Sequence, residues 1–162
     1  MKVLIFGGSQ GATAINDVVV RTLPLLHTLR TELKVVHQTG DRDIEWVSRA
    51  YEKECIDCDV KNFLFDIVDK YKWAHFVIAR SGAVTVAEIT SMGLPALLIP
   101  FPESTHGHQE ENAKFLSEKE AGISVKQENF EPKVLFSILS KFIKNRNALM
   151  EMSTKTQDLN HS

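Results

Sequence analysis

What this sequence has little of narrows it first. Two cysteines in 162 residues are too few for a fold built on disulfides. Cys55 and Cys58 form a C-x-x-C inside "YEKECIDCDV". A redox motif needs a matching position in its fold and a zinc site needs two further ligands, so these read as reduced thiols in a helix-to-strand connection. No apolar run approaches the roughly 20 residues that cross a bilayer. The opening "MKVLIF" has one Lys and a short apolar run before glycines, too little for a secretory signal. Charge of one sign is also missing. With 19 basic and 21 acidic residues the formal net charge is -2, which leaves no electrostatic footprint for nucleic acid. These absences predict a cytoplasmic chain, at most peripheral to a membrane and not inserted in it.

What is present is ordinary globular composition, 43% hydrophobic and 25% charged, at a length that supports one domain with a sizeable core. Short apolar runs alternate with amphipathic helical stretches. Strands are predicted at Lys2–Phe6, Lys34–Gln38, Val60–Phe63, Phe76–Ala79, Ala96–Ile99 and Ile123–Val125. Helices are predicted at Ala12–Leu26, Asp43–Lys53, Asp66–Lys72, Val84–Met92, Gln109–Lys119, Pro132–Ile143 and Asn145–Thr156. This alternation implies an α/β domain, a doubly wound, Rossmann-like parallel sheet of about six strands over residues 1–156, with a polar, frayed tail at 157–162. In such a sheet ligands bind at the carboxyl ends of the strands, so the loops there are where chemistry is sought.

Three stretches stand at those ends. The first, "FGGSQGATAIN", places Gly7, Gly8 and Gly11 around Ser9 and Gln10 after a strand and before a helix. It lacks the G-x-G-x-x-G order of a dinucleotide site and the Gly-Lys-Ser/Thr of a P-loop, yet free N–H groups at the helix start still attract an anion. The second, "ARSGAVTVAEITSMGLP", starts another helix at the same edge. Thr85-Val-Ala-Glu88 matches a capping box, so Glu88 is either a cap or a carboxylate for the hydroxyls of a ribose. Gly93 and Pro95 stop that helix. The third, "PFPESTHGHQEENA", is a long polar loop with no standard metal-ligand spacing in its His106, His108, Gln109 and Glu110. It is either a solvated loop or a set of hydrogen-bonding groups for a sugar.

Taken together, "GGSQGA", "RSGAVTVAEITSMGLPALLIPFP" and "HQEENA" resemble the C-terminal half of the MurG family of GT-B glycosyltransferases, over about Val3 to Gly122. The resemblance implies one of two Rossmann-like domains, this one binding UDP-GlcNAc. The other would bind a lipid-linked muramyl-pentapeptide acceptor and lie on the cytoplasmic face of the bacterial inner membrane. By the resemblance, Gly8, Ser9, Gln10 and Gly11 contact the diphosphate. Leu64 sits where the family's backbone reads uracil, with Ile67 beside it. Arg80 matches an arginine ahead of the Ser-Gly turn. Ala83, Val84 and Thr85 line the diphosphate and sugar, Glu88 holds the ribose, and His108 and Gln109 read the GlcNAc hydroxyls.

The chemistry so implied is inverting transfer by direct displacement, with no cofactor and no protein-bound metal. Helix starts stabilise the charge that develops on departing UDP. The general base belongs to the acceptor domain, so the chain reads as an excised donor-binding half that is inactive alone. Two alternatives stay open. One is another GT-B transferase or a UDP-sugar epimerase, for which only Glu88, Glu103, Glu110 and Glu111 offer acids. The other is a sugar-nucleotide-binding subunit of a split GlcNAc transferase.

Overall fold

The computed structural model describes residues 1–8 and 11–161. Six strands, β1 (Lys2–Phe6), β2 (Lys34–Gln38), β3 (Asp57–Lys61), β4 (Phe76–Ala79), β5 (Ala96–Leu98) and β6 (Ile123–Ser124), form one all-parallel sheet in the order β3-β2-β1-β4-β5-β6. Alternation along β1 explains its place at the centre. Val3 and Ile5 enter one core, Leu4 and Phe6 the other, and all four are buried. A strand covered on both faces must be apolar throughout, as this one is.

Among the described residues seven α-helices cover the sheet: α1 (Thr13–Leu26), α2 (Ile44–Lys53), α3 (Ile67–Trp73), α4 (Ala83–Ser91), α5 (His108–Glu118), α6 (Pro132–Lys144) and α7 (Arg146–Asp158). α1 buries Ile15, Val18, Val19, Leu23 and Leu26, a stripe at helical spacing, against α2 and α6. α6 starts with Pro132 in its first turn, where the missing N–H costs no bond, and sets Phe142 5.2 Å from Phe76 of β4. The opposite core gathers Tyr71 of α3, Ile89 of α4 and Leu116 of α5.

Four expectations are corrected. β3 begins three residues before the predicted Val60, because pairing of Lys34 with Asp57 sets its register and the later apolar residues lie in the following connection. Cys58 is therefore on β3 itself, while Cys55 alone occupies the connection; both are free thiols. α4 starts at Ala83, with Gly82 as its N-cap and no side-chain cap, so the capping box does not form. Thr85 lies inside the helix, where its hydroxyl cannot cap. Finally, of the tail at 157–162 expected to fray, residues 157–161 continue as α7 and a helical turn at Leu159–His161, with the Asn160 amide donating to the Thr90 carbonyl, while Ser162 lies outside the described residues.

Candidate functional site

The strand order reverses between β1 and β4, and the crossovers leaving them run to opposite faces. This opens a crevice at their carboxyl ends. A cleft of about 540 Å³ lies there, walled by Gly7, Gly8 and Gly11 after β1, Ala12–Ala14 at the start of α1, and Gly82 and Thr85 at the start of α4. Among the described residues neither helix has a side-chain cap, so two sets of first-turn N–H groups meet one cavity. Both ends carry partial positive charge, and the arrangement suits an anion.

The loop is held from below. Gly11 has φ of +78°, and a Cβ on it would stand 2.1 Å from the Thr39 carbonyl oxygen, so only glycine lets the turn lie this close to β2. The Gln38 amide donates to the Gly8 carbonyl at 2.7 Å. Beneath α1, Asp43 accepts from Thr13 (2.8 Å), Asn16 (2.9 Å) and Trp46 (3.1 Å). Burial opposes the Asp43 charge, but bonds from Asn16, Thr13 and Trp46 outweigh it and hold the carboxyl below its usual range. Asn16 Oδ1 lies 2.8 Å from His37 Nε2, and Tyr51 lies 2.8 Å from His37 Nδ1. Asn16 donates its amide N–H to Asp43 and the Thr39 carbonyl, so its oxygen must accept, which puts the imidazole proton on Nε2. Burial pushes the His37 pKa down to about 3, against a smaller pull from Asp43. A neutral buried histidine thus ties α1 to β2.

The far wall comes from the connection after β5. Arg80 lines the cleft and donates Nη1 to the carbonyls of Ile99 (3.2 Å) and Pro100 (3.3 Å), and Nη2 to Gln127 Oε1 (2.7 Å). Its guanidinium lies 5.3 Å from the centre of the Phe101 ring. The Phe101 N–H donates to Gln109 Oε1 at 2.9 Å, and Ser81 Oγ donates to the Gln109 carbonyl at 2.6 Å. Asn112 closes the seam by donating to the Ser81 carbonyl.

The structure brings Gly8, Gly11, Arg80, Thr85 and Gln109 of the predicted residues to this cleft. Ser9 and Gln10 lie outside the described residues. Ala83 and Val84 are exposed on the first turn of α4, and Val84 is 72% exposed. His108 is exposed at the start of α5 with its ring 5.8 Å from that of His106. Glu88 sits half-buried two turns into α4 and faces the Tyr71 hydroxyl, whose pKa burial and this carboxylate raise. Leu64 is buried and Ile67 packs on the same core, beside a second cavity lined by Asn62, Phe63 and Phe65 near Gly11 and Thr13. Sequence reasoning missed Phe101, Thr13 and Gln127. Thr13 and Phe101 stand inside the quoted stretches but were given no role there, and Gln127, outside all of them, is 47 residues from the arginine it meets.

Two Asp-x-Asp spacings, of the kind that can hold a divalent metal, occur in the sequence, Asp41-Arg42-Asp43 and Asp57-Cys58-Asp59. Asp43 is engaged by α1 and Trp46 while Asp41 accepts from Asn62, and Asp57 and Asp59 lie on the edge strand β3. Among the described residues no group of three or more His, Cys, Asp or Glu could hold a metal ion, and no helix is long and apolar enough to cross a membrane.

Residues 2–162 match the model of the glycosyltransferase family 28 C-terminal domain. Over 159 residues the chain is 37% identical to the UDP-N-acetylglucosamine–N-acetylmuramyl-(pentapeptide) pyrophosphoryl-undecaprenol N-acetylglucosamine transferase of Syntrophotalea carbinolica, covering 98% of this chain and 44% of that one. It is 36% identical to the enzyme of the same name from Coxiella burnetii, with the same coverage. The crystal structure of Acinetobacter baumannii MurG superimposes with a TM-score of 0.87 at 33% identity, over 98% of this chain and 47% of that one. The chain thus spans less than half the length of these relatives.

Proposed function

The chain belongs to the glycosyltransferase family 28 C-terminal domain family, and on that premise we propose that its cleft binds UDP-GlcNAc as the donor half of a GlcNAc transferase. The observation that carries the reading is the convergence of two uncapped helix starts and a glycine turn on one cavity, with the neutral Gln109 amide at its rim. The diphosphate lies across the starts of α1 and α4, against Gly8–Gly11 and Thr85. The sugar reaches Gln109 and His108, the ribose Glu88, and the base the backbone at Leu64. As the glycosidic bond breaks, negative charge grows on the departing UDP, and fixed N–H dipoles stabilise it without reorganising. The acceptor is a lipid-linked muramyl-pentapeptide, held with its general base by a partner domain on the cytoplasmic face of the membrane. That domain corresponds to the part of the relatives that this chain does not span.

Titration of the chain with UDP-GlcNAc, UDP-glucose, UDP and NAD, followed by amide NMR, tests this. UDP-GlcNAc is expected to shift Gly8, Gly11, Thr85 and Gln109. Glu88→Ala is expected to weaken UDP strongly and to lower the melting temperature only modestly, since Glu88 caps no helix and the fold loses only its contact with the Tyr71 hydroxyl. Preferential binding of NAD, or shifts that avoid these residues, would sink the reading.

A further inference from the structure

Arg80 is a cation beside a cleft suited to an anion, yet its hydrogen bonds go to the protein. One nitrogen holds the carbonyls of Ile99 and Pro100, and the other takes its shortest bond, 2.7 Å, to Gln127. Gln127 enters from a helical turn after β6, remote in sequence from every loop motif, and lines the same cavity. The clamp bears on Gln109. Phe101, against the guanidinium face, donates its N–H to Gln109 Oε1. An amide whose oxygen is taken by an N–H presents its nitrogen elsewhere. Here Nε2 turns toward Gly82, 3.8 Å from where a Cβ on that glycine would stand. Gln109 is thereby fixed as a donor at the rim, and it selects a ligand with an acceptor oxygen there.

We propose that Gln127 is a positioning residue for the donor sugar, acting through Arg80 and Phe101 to hold the Gln109 amide with its N–H groups toward the cleft. The proposal rests on the reading that the cleft takes a nucleotide sugar. Removing the Gln127 acceptor has two effects. Arg80 loses the bond that fixes its plane, so its hold on the Ile99 and Pro100 carbonyls loosens and Gln109 no longer presents one fixed end. Arg80 is freed to turn toward the diphosphate, a stronger partner than a neutral amide. Sugar recognition and diphosphate recognition therefore separate, which general loosening of the fold would not produce.

The test compares the wild-type chain with Gln127→Leu and Gln127→Glu by calorimetry with UDP-GlcNAc and UDP, and by the NOE between the Gln109 side-chain amide and Gly82 Hα in the free protein. In Gln127→Leu the NOE is expected to vanish and the ratio of UDP-GlcNAc to UDP affinity to fall about fivefold, the effect of one hydrogen bond, with UDP unchanged or tighter. Gln127→Glu, which keeps an acceptor for Arg80, should retain both the NOE and the ratio. Persistence of the NOE in Gln127→Leu, or equal weakening of both ligands, overturns the proposal. If the wild-type chain binds neither ligand, the donor-site reading fails, and the NOE alone decides whether Gln127 orients Gln109.

Discussion

At the scale of single residues, His37 makes the sharpest prediction. Its imidazole is buried and neutral, with a pKa near 3 in the folded chain against the ordinary 6.5. The unfolded chain takes up a proton that the folded one refuses, so stability is full above pH 6.5 and is lost as pH falls toward 3. Between about pH 7.5 and about pH 5 this one group removes about 2 kcal/mol, measurable by urea unfolding. His37→Gln should lower stability at neutral pH yet flatten this slope. A wild-type chain whose stability did not change across that range would show His37 to be solvated. Such a role is not legible in the sequence, where "VVHQ" reads only as the end of a strand. The cleft residues Gly8, Gly11, Thr85 and Gln109 were legible because each sits in a strand-to-helix connection of unusual composition or in the first turn of the helix that follows one. Gln127 was not, since its meaning depends on where β6 delivers the chain.

At the scale of elements, three helices end in the same way. After α4 the N–H groups of Gly93 and Leu94 return to Thr90 and Ile89, and Gly93 supplies the left-handed turn, φ +66°, that this requires. After α2 and α5 the same pair of bonds forms, but Cys55 (φ 56°) and Glu120 (φ 56°) occupy the left-handed position. An L side chain there costs about 1–2 kcal/mol. Cys55→Gly should therefore raise stability by about 0.5–1 kcal/mol, part of the relief being offset by the freer unfolded chain. A fall in melting temperature would mean that the thiol has a packing role instead. The stop at Gly93 was readable because glycine announces it, whereas Cys55 gave no such signal. β3 was misplaced for a related reason. "DCDVK" alternates exposed and half-buried residues at a sheet edge, so the apolar run just after it looked more strand-like than the strand itself.

At the scale of the whole molecule, the chain covers 44% of the length of its Syntrophotalea carbinolica relative, and its cleft is built on the carboxyl edge of one sheet. Purified alone, it is expected to release no UDP from UDP-GlcNAc and to transfer no GlcNAc to a lipid-linked acceptor, with radiolabelled donor as the measure. Turnover by this chain would place the general base within it. The two-faced core made this architecture readable from sequence, because each buried strand announces itself as an apolar run between glycines, prolines or acids. The connection from Ile99 to Gln109 has a different standing. It contributes no strand to the sheet, and Arg80 and Ser81 tie its two ends to the residues just after β4. On the proposed reading, exchanging this connection is expected to change which UDP-sugar binds while leaving the affinity for UDP, set by the starts of α1 and α4, nearly unchanged, with calorimetry against a series of UDP-sugars as the measure.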